Sequence, residues 1–153
     1  MRIRIRHETS YRYEEPASST LQLLRLTPRP HDGQFAIELE DFARSEQFYV
    51  PNTAVLRTRL YDNEGQAVEV TDFAPRFQTR GRMYRPVMLV RRLRVLAGAP
   101  RIRIRVRPRF SWAQETPSIT QGSHHVRYVG RDQVLRLTTT APLTYLLQEQ
   151  PFV

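Results

Sequence analysis

The chain has no cysteine. Disulfides, thiolate metal ligands and a cysteine nucleophile are all excluded by that one absence. It has no lysine either, so its 24 basic residues are all arginine. Nucleic-acid binders usually mix the two cations, and uniform arginine usage reads more simply as a GC-rich coding background. No apolar run approaches the roughly 18 residues that a membrane-spanning helix needs. The start, Met1-Arg2-Ile3-Arg4-Ile5-Arg6, lacks the apolar centre of a signal peptide. A cytoplasmic protein with no membrane association is expected. Acids are missing from one long stretch: none occurs between Phe73 and Gln114, although they are frequent from Asp32 to Asp72. With a formal net charge of +9, that asymmetry reads either as an anion-binding face or as a face that docks on an acidic partner domain. The six glycines are scattered and form no phosphate-cradling loop.

What is present points to strands. The 153 residues, 40% of them hydrophobic, suffice for one packed domain. Eleven prolines and few helical patterns favour a β-rich chain. Period-2 alternation is clear in residues 2–6, continues through Tyr11 and Tyr13, and resumes in 18–27. Pro28 to Gly33 forms a turn or linker. Phe35 to Glu40 is a strand with Phe35, Ile37 and Leu39 aligned. Arg101 to Arg109 is the clearest strand of all, with arginine at every odd position and Ile102, Ile104 and Val106 between.

The best-punctuated element lies between Gln47 and Phe77. Tyr49-Val50-Pro51-Asn52 opens with a turn and a strand runs to Tyr61. Asp62-Asn63-Glu64-Gly65 is the loop, and Ala67 to Thr71 runs back with Val68 and Val70 on one face and Glu69 on the other. Pro75 closes the hairpin because it cannot donate to a sheet ladder. Gln78 to Arg85 reads as an arginine-rich loop and Val87 to Leu96 as a mostly apolar strand-pair region. Ser123–Tyr128, Gln133–Thr138 and Leu143–Leu147 complete the strands. Turn signals recur about every ten residues, the rhythm of a sandwich. The expected architecture is therefore all-β, a single antiparallel β-sandwich domain over residues 1–153.

Chemistry-bearing groups are sparse. His124 and His125 fall on opposite strand faces, and His7 and His31 are remote in sequence, so no metal site and no cofactor are expected. Asp72 reads as a turn residue whose carboxylate accepts backbone N–H bonds; no spacing pairs it with Glu115. Trp112 is read as a core or interface anchor, with a sugar-stacking ring as the alternative. Arg101, Arg103, Arg105, Arg107 and Arg109 form a stripe on one strand face. The stripe suits a solvated or inter-domain surface better than nucleic acid, because no aromatic platform accompanies it.

Two resemblances complete this reading. Residues 1–34, through RIRHETSYRYEEPASSTLQLLRLTPRPHDGQ, resemble the bacterial transglutaminase-like N-terminal region. A transglutaminase-like enzyme needs a Cys nucleophile activated by His, so that activity is excluded here. Residues 35–153 resemble the N-terminal domain of trehalase- and glucoamylase-like enzymes of glycoside hydrolase family 15. FAIELEDFARSEQFYVPNTAVLRTRLYD, VTDFAPRF, RPVMLVRRLRVLAGAPRIRIRVRPRF, GSHHVRYVG and LRLTTTAPLTYL carry that likeness. It implies a bacterial β-sandwich placed ahead of a catalytic helical barrel, with the paired carboxylates of glycoside hydrolysis in that barrel and not in these residues. The opening expected of family 15 is replaced by the transglutaminase-like one, as in a chimera or a swap of one β-hairpin for another. The implied role is a non-catalytic accessory domain whose Trp112 and arginine stripe serve docking or the rim of a ligand site. The alternative is a free-standing arginine-rich module for a polyanion or protein partner. An apolar patch beside the stripe, and some self-association into a homo-oligomer, are also expected.

Overall fold

A computed structural model describes residues 33–153. The strands expected within residues 2–27, and the turn up to Asp32, lie outside the described residues. Eleven strands and one short helix follow in order: β1 (Gln34–Leu39), β2 (Phe42–Tyr49), β3 (Leu56–Asp62), β4 (Ala67–Phe73), β5 (Phe77–Thr79), β6 (Arg82–Tyr84), β7 (Val90–Ala97), β8 (Ile102–Arg107), β9 (Ser118–Gln121), β10 (His125–Val129), β11 (Val134–Thr138) and α1 (Leu143–Leu147). The fold is all-β and antiparallel, as expected.

The hairpin between Gln47 and Phe77 forms as β3 and β4, with Leu60 opposite Val68 and Thr58 opposite Val70. The Asp62 carboxylate closes its loop, accepting the N–H groups of Glu64 (2.9 Å) and Gln66 (2.8 Å). Gly65 turns there at φ +83°, a conformation costly to residues with a Cβ. β2 and β7 flank this pair to give the sheet order β2-β3-β4-β7. The chain crosses between layers at Asp41 (φ 53°), because β1 pairs not with β2 but with β8.

Alternation then sorts the side chains. Phe35, Ile37 and Leu39 stand opposite Val106, Ile104 and Ile102 on the inner face of the β1-β8 pair. Leu39 and Ile102 meet Leu60 and Val68 of the larger sheet, with Leu93 and Phe152 closing the cluster. A second cluster forms where β8 ends: Phe110, Val126 and Tyr128 are buried, with Val106, Leu137, Leu143 and Leu147 packed around them. It joins the β11-β10-β9 sheet to β8 and α1. Full burial of a side chain such as Val68 or Val126 contributes about 1.5–3 kcal/mol.

Several expectations are corrected. Leu143–Leu147 is helical, not a strand. Pro142 precedes it, and Leu143, Leu146 and Leu147 share one face at helical spacing. The loop expected at 78–85 is a hairpin, β5 with β6, turning through Arg80 and Gly81 at φ 46° and 72°. The apolar region after it is the single strand β7, and β2 and β9 are additional strands. No described helix is long and apolar enough to cross a membrane.

Candidate functional site

The arginine stripe of β8 faces outward and is largely paired. Antiparallel register sets Glu38 opposite Arg103 and Ala36 opposite Arg105. Arg105 reaches Glu38 at 3.2 Å, Arg101 reaches Glu40 at 3.2 Å, and Arg103 lies between them at 3.8 and 3.7 Å. The upper end is held by Glu149, which accepts two bonds from Arg107, both 2.5 Å, and sits 3.4 Å from Arg105. Glu149 occupies a left-handed position (φ 53°) just past α1, where glycine is usual, so its backbone strain is offset by these ion pairs. The Arg107 hydrogen bonds, against some burial, hold the Glu149 carboxyl below the usual carboxylate range. Arg109 donates to the Thr116 hydroxyl. The stripe thus clamps the C-terminal turn onto β8, and its charge is mostly compensated locally.

Trp112 is not in the core. It is 85% exposed, at the tip of a loop in which Ser111, Trp112 and Ala113 are all left-handed (φ 51°, 59° and 70°). Each such non-glycine residue costs on the order of 1 kcal/mol. The base of the loop bears that cost. Phe110 and Glu115 exchange two backbone bonds (2.9 and 3.1 Å), Phe110 is buried, and Glu115 accepts the Arg131 N–H at 2.6 Å. The chain's one tryptophan is therefore held out to solvent on a rigid base. Trp112→Ala is expected to change stability by less than about 0.5 kcal/mol, checked by thermal melting. Acrylamide should quench the native chain's fluorescence almost as well as the unfolded chain's.

A second charged row crosses the larger sheet. Glu46, Arg59, Glu69 and Arg94 stand side by side on β2, β3, β4 and β7. Glu69 is 3% exposed and accepts bonds from Arg59 (3.1 Å) and Arg94 (3.0 Å). Burial raises its carboxyl pKa, but the Arg59 hydrogen bond and the charges of Arg94, Arg57 and Arg59 outweigh burial and leave it lowered. Asp72 departs from its expected turn role: it lies in β4 and grips Arg91 bidentately, both bonds 3.0 Å. Arg91 also lies over the Phe35 ring at 4.5 Å and donates to the Phe35 carbonyl, tying the two layers together. Asp72 and Glu115 are committed to different partners. The His125 ring packs on Gly122. Among the described residues no group of three or more His, Cys, Asp or Glu could hold a metal ion.

Sequence reasoning missed Glu69 and Glu149 as charge anchors. Glu149 lies 42 residues from Arg107, so no local pattern signals it. Of the clefts among the described residues, two bear on the site. A small one of about 200 Å³ lies between Pro108, Thr116, Pro117, Ile119 and Tyr128. A larger one of about 970 Å³ opens between the layers beside Leu93, Ile104, His124 and Phe152, with no Asp or Glu side chain in its lining.

Comparison with known proteins adds one finding. Searches of curated proteins and of solved structures returned no match. The likeness of residues 35–153 to the family 15 domain has no support from these comparisons. Residues 3–40 match the family described as the bacterial transglutaminase-like N-terminal region. The match runs past position 34 and takes in all of β1. Over its opening quarter, then, the chain is similar to the bacterial transglutaminase-like N-terminal region.

Proposed function

We propose that this chain is a non-catalytic accessory β-sandwich domain of a carbohydrate-active hydrolase of the glucoamylase and trehalase type. In this reading it supports and docks on a helical-barrel catalytic domain. The observation that carries it is the tip at Ser111–Ala113. Three consecutive strained residues expose a large apolar ring, which lowers the stability of the isolated domain and is repaid when a partner covers Trp112. The sequence likeness of residues 35–153 names the type of partner. The match of residues 3–40 to a region described as N-terminal agrees with a place ahead of a larger domain. Glu38, Glu40 and Glu149 neutralise much of the β8 stripe, which favours docking over wholesale polyanion binding.

The test uses the sole tryptophan. The chain labelled with 5-fluorotryptophan gives one fluorine resonance, which should shift when a purified glucoamylase-type barrel domain is added. The chain alone should release no glucose from maltose or trehalose. An unmoved resonance, or glucose release by the pure chain, would overturn the proposal.

One observation favours the alternative, a polyanion-binding module. Arg127 and Arg136 stand directly opposite each other on β10 and β11, both exposed, and neither has a carboxylate partner among the described residues. Like charges in such register destabilise a sheet, and a bound anion would relieve them. Retention on heparin that falls steeply with salt, and is lost in Arg127→Gln/Arg136→Gln, would support this reading.

A further inference from the structure

The β5-β6 hairpin is costly for the isolated chain to present. It pairs with no other described strand, and all six of its strand residues are exposed. An isolated two-stranded hairpin is marginal in water. This one is held by its Arg80-Gly81 turn, whose two positive φ angles match the twist of the strands, and by a stack of Phe77 on Tyr84 at 5.5 Å and 10°. The ring pair stays about half exposed, as does Met83. The chain leaving the hairpin carries Val87, Met88 and Leu89, all open to solvent. Arg76, Arg80, Arg82 and Arg85 flank these groups, and the nearest acids in sequence are Asp72 before them and Glu115 after.

We infer that this hairpin, with Val87–Leu89, is a docking surface for a protein partner whose matching groove has an apolar floor and a carboxylate rim. The inference rests on the docking reading above and names the chemistry of the contact. Charge complementarity sets the rim, since four arginines with no acid among them seek carboxylates. The floor follows from Met83, Val87, Met88 and Leu89, aliphatic groups that gain only from a dry contact. A nucleic-acid strand could stack on Phe77 and Tyr84 but would leave those aliphatics wet. A second copy of this chain brings the same net positive charge and is repelled.

The experiment measures affinity of the full-length chain for the purified barrel domain, with two multiple variants. Arg80→Glu/Arg82→Glu/Arg85→Glu reverses the rim, and Val87→Ser/Met88→Ser removes the floor. All five side chains are exposed, so the melting temperature should hold and serves as the folding control. Each variant is expected to weaken binding more than tenfold, and added salt to weaken wild-type binding alone among wild type and the arginine variant. Unchanged affinity in both, with loss in Trp112→Ala, would overturn this inference and leave the docking reading standing. No binding by the wild-type chain would remove both. Binding of a 15-nucleotide deoxythymidine strand that the arginine variant abolishes would overturn it in favour of nucleic acid. Dimerisation in sedimentation that Val87→Ser/Met88→Ser abolishes would overturn it in favour of a second copy.

Discussion

Gly130→Ala is expected to lower stability by about 2–3 kcal/mol, or roughly 10 °C in melting temperature. Gly130 opens the turn from β10 to β11, where its N–H donates to the Gln133 carbonyl. A Cβ built there would lie 2.4 Å from Phe110 Cδ2 and 2.9 Å from Glu115 Oε1. Neither neighbour is free to yield. Phe110 is a buried member of the second cluster, and Glu115 is tied to the Arg131 N–H and to the Phe110 backbone. The methyl group must displace the aromatic ring or break the base of the Trp112 loop, so the fluorine resonance of the 5-fluorotryptophan-labelled chain should move as well. Gly65→Ala is the control. Its Cβ would meet nothing within 4 Å, so only the positive φ is penalised, at about 1 kcal/mol. Equal losses in the two variants, measured by denaturant titration, would mean that Phe110 moves freely and that the loop base is not rigid.

The next largest effect is expected at Glu69. Glu69→Ala removes the acceptor shared by Arg59 and Arg94, and breaking a buried ion pair typically costs several kcal/mol. Here the arginine side chains are 33% and 56% exposed and can recover water, so about 2 kcal/mol is expected. Glu69→Gln keeps one acceptor and should lose less. The pH dependence has a definite sign. The folded carboxyl pKa is lowered from its ordinary 4.5, so the unfolded chain binds the proton more readily than the folded one. The stabilisation is complete above about pH 4.5 and is lost as pH falls through the lower, folded value. Glu149, also lowered, adds to the same acid limb. Stability plotted from pH 6 down to pH 3 should fall less steeply in Glu69→Gln than in wild type. Parallel curves would show that the carboxylate gains nothing from its two arginines.

Much of the fold was legible where one strand face is buried. Alternation in Phe35–Glu40 and Arg101–Arg109 gave two strands to within a residue or two at their ends, because burial of one face writes period 2 into the sequence. β2 carries no such signal: FARSEQFY is exposed along its whole length and shows no apolar face. β5 and β6 are three residues each, too short for a period, and only the Arg80-Gly81 pair marks their turn. The short helix was misread because apolar spacing over five residues fits either period, and Pro142 was the arbiter. Alternation places Glu69 on the face opposite Val68 and Val70 but does not show that this face is buried too. Its burial depends on arginines 10 and 25 residues away in sequence. The same limit applies to the candidate site. Trp112 and the arginine stripe were visible as residues, but the left-handed loop and the clamp from Glu149 arise from tertiary contacts.

The place of β8 has a consequence for how the domain comes apart. Its first residue, Ile102, lies in one hydrophobic cluster and exchanges two 2.9 Å bonds with Phe152, while Val106, near its other end, packs on the second cluster. Neither cluster can lose its order without loosening the strand that the other needs. Two cores sharing one strand behave as a single cooperative unit. Calorimetric and van't Hoff enthalpies should agree, and the near-ultraviolet circular dichroism of buried Tyr128 should report the same midpoint as the far-ultraviolet signal. Damage to Phe110, far along the chain from β3 and β4, would then be felt across the entire described domain.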